Sequence, residues 1–584
     1  MATPRANPAV GGHYAQLGLS HRDRLEIVAG IMLALFLGAL DQTVVGTALP
    51  RIVTDLGGNE YYTWVVTIYL LTSTITVPFY GRLSDVYGRR PFLLLGIGLF
   101  LLGSALSGLS QTMWQLILFR GVQGLGAGAL FPISLSVIGD LFSPAERGRY
   151  QGLFGAVFGV SFLVGPALGG FLTDTISWHW VFYVNLPVGL LSLYVIWRLL
   201  PNVRAEGIRH RFDIAGALVF TIAVALLLIG LTNKQSGEWT DPQVGGLIGL
   251  ALVGAAIFLL IEQRAAEPIV PLQLFRIAPY ALSIVATFFV SFGFFGAVIF
   301  VPRWFQVVQG SSATLSGYQM FPLLVGLMGS SILSGQLVAR TRRYKAILLA
   351  GLAIGAIGFW LLMNLRADTP IATLWLWLFV AGVGLGPTMA VFTIAVQNAV
   401  PVSALGTATS NLTFFRQIGG SVGLAIAGTV FGTSLKDQLP GDLRPIFLAI
   451  RASLPPAFQT QFDQLAAGGG STGGLNPNDF TGVGQSFGRA LLMAVEGRIP
   501  SSLRAPVEAL LGPHVPELDA AFHSAFSTAV AATFAVALVS TLVAFLATLV
   551  APELPLRTHA VPAPLPEAGV AEVELTGEAA GASD

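Results

Sequence analysis

Runs of about 20 mostly apolar residues, the length an α-helix needs to cross a bilayer, recur along almost the whole chain. The pattern predicts fourteen membrane spans, at 26–49, 61–80, 91–110, 113–138, 148–171, 178–200, 213–232, 244–262, 279–301, 316–339, 345–363, 371–396, 406–433 and 526–550. The first run is too long for the apolar region of a signal peptide. It also carries Asp41 and is followed by no small-residue cleavage site, so it reads as a span.

Composition agrees with the pattern. Of 584 residues, 54% are hydrophobic and 10% charged, where soluble domains carry about 25% charged residues. That excludes a soluble protein. The net charge of +1 offers no field for nucleic acid, and the absence of Cys excludes disulfides, thiol nucleophiles and thiolate metal sites. The basic residues are unevenly placed. If both termini are cytoplasmic, 19 of the 31 Lys and Arg fall in inner segments and 4 in the short outer loops, as the positive-inside rule requires.

The arm 1–25 and the tail 551–584, rich in Pro, Ala and acidic residues, are expected to be disordered cytoplasmic ends. The segment 434–525 differs. Two amphipathic stretches in it, LRPIFLAIRASLPPAFQTQFDQLAA and SFGRALLMAVEGRIPSSLRAPVEALL, flank a Gly-rich linker, which predicts short helices on the outer face. They are expected to lie on the outer leaflet, to cover a transport mouth, or to dock an outer-face partner such as an envelope lipoprotein.

The second span runs into GRLSDVYGRRP at 81–91 and the tenth into GQLVARTRRYK at 335–345. The shared Gly-x-Leu opening and basic close mark an internal repeat. The implied architecture is all-α and membrane-integral. It has an N-terminal six-helix bundle at 26–200, an inserted helix pair at 213–262, and a C-terminal six-helix bundle at 279–550 that includes the 434–525 insertion. Repeats enclosing a midplane site are a common plan for alternating access. Ala339 stands where the first copy has Asp85, so the copies are not equivalent.

Asp41 is the acidic residue well inside a span, where a charge costs about 2.5 to 3.5 kcal/mol on insertion scales. Counted from the outer ends of spans 1 and 4, Asp41 lies about 12 Å deep and Arg120 about 10 Å deep. If both helices line a cavity the two can pair, and protonation of Asp41 then reports whether the pair is formed; the alternative is a permanent ion pair that fixes packing. Gln42, Gln123, Asn411 and Arg416 are candidate cavity residues. For Gln123, helix–helix contact is the competing reading, and for Arg416, snorkelling along small neighbours. In the loop 81–91, Gly81, Asp85, Gly88, Arg89 and Arg90 form a candidate cytoplasmic latch. Asp85 is positioned to accept from the start of span 13 near Gly406, and Asp140 to pair with Arg89. In GLFGAVFGVSFLVGPALGG, Gly155 with Gly159 and Gly165 with Gly169 permit close helix approach, and Pro166 bends the span. Together they suggest a hinge-like interface between the halves.

LDQTVVGTALP (40–50), GRLSDVYGRRP (81–91), LFRGVQGLGAG (118–128) and GVSFLVGPALGG (159–170) together resemble the signature motifs of the major facilitator superfamily, in its fourteen-helix drug:proton antiporter branch. The resemblance covers about 26–433 and the last span. It implies export of hydrophobic or amphipathic compounds driven by proton entry. It also implies that Asp41 is the embedded acid, Arg120 the buried base of the fourth span, and Asp85, Arg89 and Arg90 members of the latch. Gly165, Pro166, Gly169 and Gly170 then make the antiporter motif. His179 departs from the pattern, standing where the family usually has Arg. The long 434–525 segment keeps a second cargo open, an endogenous lipid or lipid-like metabolite.

An integral membrane enzyme fails on inventory. The seven His (13, 21, 179, 210, 514, 523, 559) lie in tails, loops or span ends, and no nucleophile-and-base or metal constellation assembles within the spans. No Walker A sequence supports ATP as the energy source. No cofactor is expected, only a proton gradient. The expected partners are hydrophobic or amphipathic small molecules or lipids, protons and the bilayer, with the protein acting as a monomer.

Overall fold

The computed structural model describes residues 19–57, 61–203, 213–234, 237–265, 267–453, 459, 508 and 512–556. Residues 1–18 of the arm, 557–584 of the tail and most of 454–511 lie outside the described residues, while the end of the arm from His21 is already part of the first helix. The principal helices, in chain order, are α1 His21–Leu56, α2 Tyr62–Tyr87, α3 Arg89–Gly108, α4 Met113–Leu141, α5 Pro144–Gln151 and α6 Leu153–Thr175. There follow α7 Trp180–Tyr183, α8 Asn185–Leu199, α9 Ile214–Asn233, α10 Leu247–Glu262, α11 Ala278–Val307 and α12 Ala313–Gln319. The last are α13 Phe321–Thr341, α14 Lys345–Leu362, α15 Ile371–Ala399, α16 Leu405–Ser453 and α17 Val515–Val550. Fourteen helical segments among the described residues are long and apolar enough to cross a membrane, and no strand is present among those residues.

One hydrophobic core draws on α11 and α13 to α17, and two others on α1 to α8. A fourth joins α2 to α16 through the inserted pair, with Phe220 of α9 packed on Phe79 of α2, Phe258 of α10 and Phe414 of α16. The pair α9 and α10 therefore lies along the seam between α2 and α16. It is also tied to the 81–91 segment, where Arg82 reaches Glu267 at 3.7 Å. The carboxyl of Glu262, at the end of α10, is buried and accepts from Val270 N.

Several boundaries differ from the sequence expectation, and in one direction: helices run on. α1 continues through Pro50 to Leu56. α16 continues through Pro440 and Pro445 to Ser453, and α17 begins at Val515 rather than at 526. Both ends of the 434–525 segment thus extend spans, the first amphipathic stretch continuing α16 as far as Ser453, while the second, 486–511, lies outside the described residues apart from residue 508. Membrane helices tolerate proline because neighbouring groups satisfy the freed carbonyls. GRLSDVYGRRP is likewise a helix–turn–helix rather than a loop. α2 runs to Tyr87, Gly88 alone makes the turn with φ 99°, and α3 starts at Arg89. The repeat places Arg342, at φ 57°, at the matching turn after α13. A side chain at Gly88 would be strained by its φ and would meet Val203 O at 2.5 Å.

Candidate functional site

Asp41 is completely buried. Arg120 Nη1 of α4 donates to its Oδ2 at 2.6 Å, Gln123 Nε2 to Oδ1 at 2.8 Å, and Asn185 Nδ2 of α8 to Oδ1 at 3.1 Å. Arg120 Nη1 also donates to Gln123 Oε1 at 2.7 Å, and its guanidinium lies 4.2 Å from the Tyr69 ring centroid. Asn185 donates in addition to Ser104 Oγ at 3.1 Å, and Ser104 Oγ donates to Phe182 O at 2.8 Å. α4 and α8 therefore donate to the α1 carboxylate directly, and α2 and α3 support those donors through Tyr69 and Ser104. Spacing puts Gln123 one turn after Arg120 on the same face of α4, so both reach Asp41.

The sequence expectation had Asp41 and Arg120 pair if both helices line a cavity, and weighed a cavity place for Gln123 against helix–helix contact. The structure forms the pair but buries it, and Gln123 makes the helix–helix contact rather than lining open space. The open face of α1 belongs instead to Gln42, which is exposed, and to Gly46, beside which no atom lies within 4 Å. The other faces are occupied: Gly38 meets Leu130 and Phe131 of α4, and Thr43 donates to Ser161 O of α6 at 3.1 Å. Asn411 is also buried, donating to the Tyr280 hydroxyl of α11 at 3.0 Å rather than facing open space.

A second network closes one end of the molecule. Asp85 of α2 accepts from Gly406 N at 2.8 Å, Thr407 N at 2.6 Å and Thr407 Oγ1 at 2.6 Å, all at the N-terminus of α16. The orphan amides and the dipole of a 49-residue helix end on this carboxylate. Arg89 pairs with Asp85 at 2.6 Å and with Asp140 of α4 at 2.9 Å, and donates to Ser84 Oγ at 2.8 Å. Gly81 belongs here because a Cβ would overlap Ser410 Oγ and sit 2.8 Å from Gly406 O. Arg90 does not belong: its guanidinium turns away to the Trp197 carbonyl at the end of α8. At the same end Gln151 donates to Gln397 Oε1 at 2.8 Å, and Gln397 to Leu135 O at 3.1 Å, adding further bonds between the bundles.

The glycines of α6 divide between two neighbours. Gly155 and Gly159 face Ser331 and Met328 of α13, across the boundary between bundles. Gly165 and Gly169 face Thr43 and Thr47 of α1, within their own bundle, while Pro166 lies against Gly317 and Gly170 near Thr314 of α12. The expectation of one inter-half seam is therefore corrected: alternate faces of α6 serve alternate partners. Gly169→Val places a Cβ over Thr47 Oγ1 and 2.8 Å from Val44 O, and overpacking of this kind costs about 1–3 kcal/mol. Gly170→Val meets only Thr314 Oγ1 at 3.5 Å. Thermal unfolding in detergent is expected to show a lower transition for the first and an unchanged one for the second.

His179 makes no ion pair among the described residues. It stacks on Trp178 with centroids 3.7 Å apart and hydrogen-bonds Ser177 Oγ at 2.7 Å, and burial lowers its pKa. Sequence reasoning missed Asn185, Ser104 and Tyr69. A lone Asn in the run FYVNLPVG was the available signal, with nothing to name its partner.

The family description "Major Facilitator Superfamily" matches residues 31–424. The chain belongs to the major facilitator superfamily. It is accordingly a multi-pass membrane transporter, not an enzyme. The superfamily relatives include the multidrug transporter protein MdtP of Bacillus subtilis, 40% identical over 421 residues, covering 71% of this chain and 77% of the relative. Multidrug resistance protein 3 of the same organism is 37% identical over 423 residues, covering 71% and 82%. Among solved superfamily folds, a bacterial homolog of the human lysosomal transporter Spinster aligns with TM-score 0.51 and 16% identity, covering 91% of this chain and 98% of that one. The proton:xylose symporter XylE aligns with TM-score 0.50 and 16% identity, covering 68% and 86%.

Proposed function

We propose that this transporter exports hydrophobic or amphipathic compounds in exchange for protons by alternating access, with both termini cytoplasmic. The Asp41 network carries the reading. All three of its hydrogen-bonding neighbours, Arg120 Nη1, Gln123 Nε2 and Asn185 Nδ2, donate to the carboxylate. A protonated carboxyl carries a donor of its own. Protonation removes the charge that holds Arg120 and adds a donor among donors already aimed at the carboxylate, so it favours a different packing of α1, α4 and α8. A proton that selects one packing over another is a coupling device.

The Asp85 network supplies the second half of the cycle. In the proposed orientation it is a cytoplasmic latch, made in the state described here and broken when the protein opens inward. The lopsided distribution of Lys and Arg supports that orientation. The names of the relatives support drug-like cargo. A lipid-like cargo is the second reading, favoured by the extension of α16 and α17 beyond the predicted spans, which gives the 434–525 segment a helical base.

Purified protein in liposomes with an imposed pH gradient tests both readings. Accumulation of a fluorescent amphiphile against its own gradient, collapsing when the proton gradient is dissipated, is the expected result. Transport indifferent to the proton gradient would overturn the coupling. Absence of dye movement by folded protein, with competing movement of a labelled lipid, would transfer the reading to lipid cargo.

A further inference from the structure

The proposed cycle leaves unused the cation Arg416, in the apolar run of α16. Arg416 lies on α16 nine residues beyond Thr407, about 14 Å along the helix. Its guanidinium makes no hydrogen bond and no ion pair among the described residues, and Nη2 is buried with no partner. Arg416 as a whole is partly buried, and the fully buried arginines are satisfied. Arg89 has Asp85 and Asp140, Arg120 has Asp41, and Arg147 donates to Phe142 O at 3.1 Å. Beside Arg416, Gln417 leaves Oε1 buried without a donor.

The position is fixed by packing rather than by chance of rotamer. One turn further along α16, Gly419, Gly420 and Gly423 press against Phe288, Phe295 and Phe292 of α11, with no room for a side chain. One turn before, Asn411 is held by Tyr280 of the same helix. α16 therefore cannot turn Arg416 elsewhere without losing both contacts. An uncompensated cation at bilayer depth is costly, and such groups face a pathway or a ligand. A guanidinium presents a fixed fork of donors that matches a planar or tetrahedral oxyanion, and the phenylalanines of α11 stand one turn away.

We propose that Arg416 binds the oxyanion of an amphipathic organic anion, a carboxylate, sulfonate or phosphate carried on an apolar body, and so selects anionic cargo. Gln417 Oε1 offers an acceptor to a hydroxyl or amide on the same molecule. The assignment of the bound anion as cargo rests on the exporter reading; the binding itself does not need it.

The test uses purified full-length protein and two probes of equal chain length, a dansyl-tagged medium-chain carboxylate and a dansyl-tagged quaternary ammonium. The wild type is expected to bind the carboxylate more tightly. Arg416→Gln is expected to weaken carboxylate binding by about tenfold or more without weakening ammonium binding, while Arg416→Lys, which keeps the charge but not the fork, falls between for the carboxylate. Equal affinity of the wild type for both probes overturns the proposal without need of any variant, as does an Arg416→Gln protein that folds and binds the carboxylate normally. Displacement of the carboxylate by a lysophosphatidate or by a small aromatic carboxylate identifies a lipid or a drug-like source of the anion; displacement by neither overturns it. If the wild type binds the anion yet moves neither probe across a proton gradient, the exporter reading fails and this one stands.

Discussion

Asp41→Asn is expected to reduce gradient-driven export to the level of empty liposomes. The substitution keeps the shape of the side chain and removes the charge. Arg120 is then a buried guanidinium without its anion, and the new amide brings a donor into a site already filled by donors from Gln123 and Asn185. Removing one partner of a buried ion pair costs about 3–5 kcal/mol, so a lower thermal transition is expected as well. The two effects separate in the double variant Asp41→Leu with Arg120→Leu. An apolar pair of similar volume is neutral or stabilising at many buried sites, so the melting temperature is expected to recover while export does not. Export by the double variant would show that the pair is structural alone. Counterflow of labelled substrate without a gradient provides the control for substrate passage.

Asp85→Asn is expected to have the next largest effect, on conformation rather than chemistry. The carboxylate takes three hydrogen bonds from the start of α16 and one ion pair from Arg89. Hydrogen bonds to a charged group contribute about 1.5–3 kcal/mol each, and an asparagine retains part of them, so a net loss of about 3 kcal/mol is reasonable. That shifts a two-state equilibrium by about 100-fold toward the state in which this end is open. The chain contains no Cys, so spin labels can be placed without background. Cysteines at the exposed positions Arg149, on α5, and Arg343, after α13, span the two bundles at this end. Pulsed electron resonance is expected to show a longer distance gaining population in Asp85→Asn, and an unchanged distribution would refute the latch.

The spans were legible because bilayer thickness imposes a length on every apolar run, and no tertiary knowledge is needed to read it. The partner of Asp41 was legible because a second charge at the same depth is rare enough to suggest its use. The direction in which the pair points was not legible. Depth is a one-dimensional quantity, while facing the cavity or the bundle interior depends on how α1 is turned, which small residues such as Gly38 and Thr43 decide through contacts far away in sequence. Asn185 illustrates the same limit, since a neutral amide in an apolar run carries no charge to pair with. Arg90 was misread for a simpler reason. It adjoins Arg89, but consecutive residues on a helix diverge by about 100°, so one reaches the carboxylates and the other the Trp197 carbonyl.

The length of α16 has a mechanical consequence. Its first turn is clasped by Asp85, and it runs from Leu405 to Leu439 before its first proline, about 52 Å at 1.5 Å per residue. A rod held at one end amplifies rotation at the other: each degree of tilt about the clasp displaces Leu439 by about 0.9 Å over that length. In the proposed orientation the far end of this arm points outward and leads into the 434–525 segment, so rocking of the bundles reaches that side as a displacement large enough to report, or to push.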